Sequence, residues 1–598
     1  MPTKISKPII KYTARDFASI KEELINYAQK YYPEAYQDFN EASFGSLMVD
    51  MVSYIGDMLS FYIDYQANES FLETAVETNS VLKLSKQLGY KFRPNAASFG
   101  EIDLFVSIPA QIDAAAPDMD YAPIVRRGSV FKTSDNRAFT LVDDVDFSQS
   151  EDLVVAQSNA DGTAPTHFAA KATGIAMSGE LMTENFTIGN YQKFLTVEIN
   201  DRFLTEVISV FDSEGNNYYE VDYLSQDTVY MPVVNTKEHK DTVRNILKPI
   251  SVPRRFTTEQ TFNKTVLQFG FGTANNEEKF LDPTNVILDV FGKNHIADKS
   301  FDPNVLIKTD KLGVPPSNTV LTVTYRRNAV ADVNVSPGGL TGIVGADFKF
   351  FLESELDNDK KFAVQDSLEI NNPRAITGDV ANPTTTEIKL RSYGAYAAQN
   401  RAVTKDDYIN LVYNMPSNFG QVKRANIIRD TDSFNGKNLN LYVMSVDRQG
   451  KYAQTNTVIK QNVKTWLSRY KLLGDTIDIL DANIQNVQIF FTVVGMANIN
   501  KQDVLESCIA TLVSYYTDTY FDIGEPFRIS DIYKLLNNVP SVLDTKDVTV
   551  LPVSEPGYSN YTLSYDDMIS NDGRYLMPKE NTVFEIKYPT SDIEGEVL

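Results

Sequence analysis

Between Ser43 and Gln66 the chain reads SFGSLMVDMVSYIGDMLSFYIDYQ, and in it Phe44, Met48, Met51, Ile55, Met58, Tyr62 and Tyr65 recur at spacings of 4-3-4-3-4-3. Residues three and four apart share one face of an α-helix, so the spacing predicts a long helix with a heptad seam. Leu47, Val52 and Leu59 widen that seam into a broad apolar face, more than a two-stranded coiled coil needs and suited to a helix inside a bundle. Two readings of the face stand side by side. One sets it against the core of its own domain. The other sets it against another chain, because Met fills irregular surfaces adaptably and Tyr is frequent at interfaces.

Working outward, the flanking segments are helical too. Thr13 and Asp16 have capping-box spacing, and Tyr12 and Phe17 sit where a hydrophobic staple would be. A helix from about Ala14 to Tyr31 follows, ended before Pro33. Another runs from about Glu77 to Leu88 and stops at Gly89, a residue that accepts the left-handed conformation after a helix. Residues 1–98 are therefore read as an N-terminal helical region.

From Phe99 the pattern turns to alternation: Ile102, Leu104, Val106 and Ile108, then Ile124 to Lys132, then Ala138 to Phe147 around a turn at Asp135-Asn136. Further short runs follow at Phe194 to Ile199, Glu206 to Phe211, Val229 to Val234, Thr265 to Phe271 and Asn285 to Phe291. We read 99–151 with 319–350 as a β domain and 152–318 as a β-rich insertion, with Val320 to Arg326 returning to the first sheet. Helices at Thr386 to Asn400 and Lys405 to Tyr413 make 351–421 a helical connector. In the second of these Thr404 is placed as N-cap, Asp407 at the third helical position, and Val403 with Tyr408 at staple spacing. Strands and helices alternate over 422–557 as in an α/β sandwich, and 558–598 reads as an acidic extension. The expected class is multidomain α+β.

Composition removes several functions. Over 598 residues, Lys plus Arg is 56 against 79 Asp plus Glu, a net charge of −23 that repels a phosphate backbone. Arg126-Arg127, Arg254-Arg255 and Arg326-Arg327 are isolated pairs, so no nucleic-acid partner is expected. The single Cys508 allows no intrachain disulfide and no Cys-based zinc site, and on its amphipathic helix it reads as a small buried hydrophobe. His167, His239 and His295 lie 72 and 56 residues apart, too dispersed to mark a metal site or a catalytic triad. Asp357-Asn-Asp359 and Asp430-Thr-Asp432 with Gly436 lack the remaining positions of a calcium loop and read as solvated turns. The glycines of Val335 to Gly345 lack the Lys-Ser/Thr of a phosphate loop. No stretch approaches the roughly 18 apolar residues of a membrane span. Neither metal nor cofactor is expected. Abundant carboxylates keep a glycan-processing enzyme or an adhesin open as the alternative, although Trp466 is the only Trp and sits on a helix where packing explains it.

The ordered set Asn372-Pro-Arg-Ala-Ile-Thr-Gly378, Arg401-Ala-Val-Thr-Lys-Asp-Asp-Tyr408 and Val422-Lys-Arg-Ala425 resembles the core signature of the baseplate J-like family of contractile phage tails. Phe71-Leu-Glu-Thr-Ala75 and Gln87-Leu-Gly-Tyr90 resemble its N-terminal helices, and Arg127-Gly-Ser-Val-Phe131 with Phe139 its β entry. Phe269-Gly-Phe-Gly272 resembles its glycine turn, and Asp522-Ile-Gly-Glu-Pro-Phe-Arg-Ile-Ser530 the stretch before its last helix. The likeness spans about Phe44 to Leu551; no single piece is specific, whereas their order is. The length and the β insertion are most similar to the large baseplate wedge proteins of T4-like myoviruses. Gly378-Asp379 departs from the Gly-Gly common in the family, and no motif matches inside the insertion.

The resemblance implies a structural virion protein and no enzyme. Two copies would pair within a wedge, and wedges would join into a ring around the central hub and tube. Through that ring the trigger for sheath contraction would pass. The N-terminal helices would bundle with other wedge proteins, and sheath-initiating proteins would be further partners. Assembly would take place in the host cytoplasm, ending in the tail baseplate. On this reading Asn372, Pro373, Gly378, Arg401, Val403, Thr404, Asp407 and Tyr408 are structural, and the heptad face is an interface between chains.

Overall fold

A computed structural model describes residues 16–598 except 33, 35–42, 112–115, 151, 160, 162–163, 235–244, 273–311, 329, 331, 380–381, 431–437, 498 and 519. The fold is multidomain α+β: N-terminal helices, a β-rich middle with barrel-like sheets, then helices and sheets together. It divides into two units, the described residues of Met1–Tyr90 with Pro383–Tyr396, and those of Lys91–Asn382 with Ala397–Leu598.

The first unit is helical. Helix α1 spans Phe17–Tyr31 and is capped by Asp16, whose carboxylate accepts from the Ser19 N–H at 3.4 Å. Asp16 is thus the cap itself, where the sequence had suggested the third helical position, and Asp is among the best residues for that role. Thr13 and Ala14 lie outside the described residues. Helix α2 spans Phe44–Glu69 and α3 spans Thr78–Gln87. After α3, Gly89 takes φ +91°, its N–H donates to Lys86 O at 3.0 Å, and Tyr90 N–H donates to Ser85 O at 3.1 Å. Those two bonds complete the paired C-terminal cap for which glycine is favoured. Helix Thr385–Ala398 joins this unit as far as Tyr396, with Lys389 Nζ donating to Glu73 O at 2.9 Å.

In the second unit a seven-stranded sheet has Phe99–Pro109 paired antiparallel with Pro165–Ser178 along its whole length. Alternate residues Ile102, Leu104, Val106 and Ile108 fill its core with Phe131, Phe139 and Phe147. A second seven-stranded sheet carries a separate core around Ile199, Leu204, Phe256, Phe269, Leu321 and Val323. Here the structure corrects the sequence reading. Strand Thr319–Arg327 pairs with Glu180–Ile188 and Leu204–Asp212 in this second sheet, while Asp152–Ser158 and Pro165–Ser178 belong to the first. Alternation identifies a strand and its buried face but does not name the partner. The run Asn285 to Phe291 lies outside the described residues.

Farther along, strand Asn438–Val446 and strand Thr476–Asp481 lie parallel, linked by helix Thr457–Leu467 as a β-α-β crossover. Strand Asn483–Gly495 then pairs antiparallel with Val542–Pro552, under helices Lys501–Asp518 and Ile529–Asn537. The stretch read as an acidic extension is part of this sheet. Thr582–Glu585 and Ile593–Val597 pair parallel with Asn483–Gly495, and Phe584 and Ile593 are buried in the core. Charge had masked the short apolar runs Val583-Phe584 and Ile593, which are enough to place two strands.

Candidate assembly interface

Helix α2 opens with Ser43, whose hydroxyl accepts from Ser46 N–H at 3.1 Å. From there its burial is inverted. Its buried residues are Ser46, Ser53 and Glu69, whereas Phe44 is 74% exposed, Met51 52% and Phe61 66%. The side facing α1 is made of small and polar residues: a Cβ on Gly56 would sit 3.2 Å from Ile20 Cδ1, and Lys21 Nζ lies 2.7 Å from Asp50 Oδ1. Small residues let two helices approach closely, so α1 takes the polar side and leaves the apolar one open. The Ser53 hydroxyl has no need of an outside partner, because it donates back to Val49 O at 2.7 Å.

Every residue of the sequence-derived seam, Phe44, Met48, Met51, Ile55, Met58, Tyr62 and Tyr65, is exposed, as are Leu47, Val52 and Leu59. Tyr65 is tied down within the chain, its hydroxyl donating to Glu77 Oε1 at 3.1 Å. The heptad reading missed Tyr54, Phe61 and Ile63, which are exposed too. Phe61, Tyr62 and Ile63 are successive, at about 100° per residue, so the open apolar arc covers about 200° of the helix. Leu390 and Tyr393, three apart on helix Thr385–Ala398, add exposed apolar surface that their spacing alone could have flagged.

The residues that carry the J-like resemblance have the following surroundings. Asn372 is fully buried and uses its whole amide: Oδ1 accepts from Leu340 N–H, and Nδ2 donates to Ser336 O and Arg374 O, each at 2.9 Å. It stitches the two ends of the first sheet, strands Leu340–Gly345 and Glu369–Asn371, to each other. Pro373 beside it is exposed. Gly378 has φ +131°, and a Cβ there would lie 2.7 Å from Ala97 O, so only glycine fits. Thr404 accepts from Asp407 N–H at 3.2 Å while the Asp407 carboxylate accepts from Thr404 N–H at 2.9 Å, a complete capping box. Desolvation pushes Asp407 up, yet the Thr404 and Val403 donors and nearby Arg401 together hold it below the usual carboxylate range. Val403 is exposed, and Tyr408 is buried with its hydroxyl donating to Asp475 Oδ2 at 2.6 Å.

Asp379, where the signature departs, is the centre of a polar node. Its N–H donates to Ser98 Oγ and Asn334 Oδ1, both at 3.1 Å, and its carboxylate accepts from Val333 N–H at 3.1 Å. Arg137 Nη1 donates to Asn334 O at 2.5 Å. Desolvation, with some help from Asp332, raises Asp379 to about 7 against the pull of Val333 N–H and Arg137.

Groups with chemical potential lie elsewhere and apart. Cys508 is buried on helix Lys501–Asp518, and burial pushes its thiol up. His167 sits on a strand beside Thr166 Oγ1, while His239 and His295 lie outside the described residues. Among the described residues no three His, Cys, Asp or Glu gather as for a metal ion. Asp357, read as part of a solvated turn, caps helix Asn358–Asp366 by accepting from Asp359 N–H at 3.0 Å. Asp432 and Gly436 lie outside the described residues. Trp466 Nε1 donates to Leu411 O at 2.8 Å, a packing role. No helix among the described residues is long and apolar enough to cross a membrane.

Residues 16–87 match the family model of the bacteriophage baseplate protein, N-terminal domain. The match runs from the cap of α1 to the end of α3 and supports a structural baseplate protein. No curated protein matches the chain. A chain in the cryo-EM structure of the anti-feeding prophage baseplate, 6-fold symmetrised, aligns over 96% of this chain and 98% of its own at 10% identity. Its TM-score is 0.26, too low for a shared fold to be read from it.

Proposed function

We propose that the chain is a wedge subunit of a contractile-tail baseplate and that the open face of α2 is its bundle interface with other chains. The observation that carries this reading is the inverted burial of α2, with serines inside and Phe, Met, Ile and Tyr outside. Leaving one such side chain in water instead of burying it forgoes about 1.5–3 kcal/mol, so a contiguous apolar face of this size belongs under a partner. An apolar stripe for a single neighbour is about 100° wide, and the open arc of about 200° therefore has room for more than one helix. The baseplate N-terminal match over the same helices supports the placement in a virion and suggests a structural role without enzymatic activity.

On this reading the chain is most similar to the J-like wedge proteins. Two copies pair in a wedge, wedges close a ring around the hub and tube, and exchange of smaller contacts within that ring passes the contraction signal to the sheath. The test is mass by light scattering for the purified chain, alone and co-expressed with its tail neighbours. A self-associating chain that grows into a defined heteromer is expected, and the double substitution Met51→Asp, Met58→Asp should abolish that growth. A stable monomer indifferent to its neighbours, or unimpaired assembly of the double variant, would overturn the proposal.

A further inference from the structure

In the C-terminal region, strand Phe527–Arg528 runs antiparallel to Tyr575–Leu576, with Arg528 opposite Tyr575. Beside this short ribbon lies an open cleft of about 470 Å³, into which Arg528, Arg574, Asp572 and Ser530 bring polar groups and Tyr575, Met577 and Pro526 bring apolar ones. Arg528 is exposed, and its side chain has no hydrogen bond or ion pair among the described residues. The Arg574 side chain is 78% exposed, with Nε 4.0 Å from Asp572 Oδ2, at the outer limit of an ion pair. Asp572 is engaged by its own turn: its Oδ1 accepts from Ser570 Oγ at 2.6 Å and from Arg574 N–H at 3.3 Å. In a chain of net charge −23, the cleft sets two guanidinium groups against a single lining carboxylate.

We propose that this cleft binds the carboxylate side chains of an extended acidic segment on a partner protein, with Arg528 and Arg574 as the clamp. The planar guanidinium fork matches a carboxylate with two parallel hydrogen bonds. The nearby Asp572 charge weighs more against a dianionic phosphate than against a singly charged carboxylate. Met577, Tyr575 and Pro526 offer apolar contact to the methylenes and backbone of a peptide, which an inorganic anion lacks. The cleft is open, so a chain can run past and insert one side chain. This site is independent of the α2 face, and either assignment can fail alone.

The test uses the full chain labelled with ¹³C at the methionine methyls, the Met577 signal being assigned by its loss in Met577→Leu. An acetylated, amidated Ala-Glu-Glu-Glu-Ala peptide is titrated at low salt. A saturable shift of the Met577 methyl is expected, weakening as salt rises. The Arg528→Ala, Arg574→Ala double variant should bind at least tenfold more weakly while its other methionine signals stay in place. An equal response to the Gln analogue, no response at millimolar peptide, or an unchanged response in the double variant would overturn the proposal. Inorganic phosphate moving the signal at lower concentration than the peptide would overturn it too, assigning a free-anion site.

Discussion

Asp379 holds a carboxylate where the J-like signature that this stretch resembles commonly has a second glycine, and the node around it sets a pH dependence. Its folded value, raised to about 7, lies above the usual carboxylate value near 3.8 that it regains on unfolding. The folded state therefore holds the proton more tightly, and stability contributed by the protonated form is complete below about pH 4 and lost as pH rises through about 7. A shift of this kind amounts to about 1.4 kcal/mol per unit, discounted here because Asp379, though largely desolvated, keeps some solvent contact and Arg137 is near. Asp379→Asn keeps an acceptor for Val333 N–H and loses the charge. The variant should gain about 2 kcal/mol over the natural chain at pH 8 and little at pH 4. Urea midpoints for both chains between these limits check it, and parallel pH profiles would refute it. Sequence could flag Asp379 only as a departure, because its partners Ser98, Val333 and Asn334 come from distant segments. The same holds for Asn372, whose buried amide bonds reach back to Ser336 and Leu340.

At the scale of elements, legibility followed the range of the forces. Helix α3 and helix Lys405–Tyr413 were readable with their ends because a glycine cap and a capping box are local chemistry. The seam of α2 was readable as a period, but not which side meets α1, since Ser46, Ser53 and Gly56 carry no apolar signal. Strand Thr319–Arg327 was readable as a strand and not as a member of its sheet, which only long-range pairing decides. The small side of α2 gives its own prediction. Gly56→Leu places a Cβ 3.2 Å from Ile20 Cδ1 and a branched side chain beyond it, so α1 must move away. Overpacking of this kind costs about 1–3 kcal/mol. Hydrogen exchange over Phe17–Tyr31 should speed up while Thr78–Gln87 keeps its protection; unchanged exchange in α1 would show that the α1–α2 approach is looser than the contact implies.

For the whole molecule, the decisive fact is that the chain's last stretch closes a sheet begun about a hundred residues earlier. Parallel strands Thr582–Glu585 and Ile593–Val597 cover Asn483–Gly495, and Glu585 binds across modules, its Oε1 accepting from Tyr452 N–H at 2.7 Å and its Oε2 from Asn486 Nδ2 at 2.9 Å. The acidic composition of 558–598 conceals this, because the buried apolar residues Val583, Phe584 and Ile593 are few among many charges, two of which, Glu585 and Asp592, are themselves buried. Ending the chain after Gly557 should therefore do more than shorten it. It would expose one side of Asn483–Gly495 and leave Tyr452 N–H and Asn486 without their carboxylate. Limited proteolysis should then cut between 483 and 552, whereas the first sheet around Phe99–Pro109, which has its own core, should resist. Phe584→Ala serves as the milder companion, costing about 3–5 kcal/mol because the ring is fully buried in that core. Survival of the C-terminal sheet in both variants would mean that the last strands dock onto a domain complete without them. Unfolding in both would mean that any partner gripping this end acts directly on the C-terminal core.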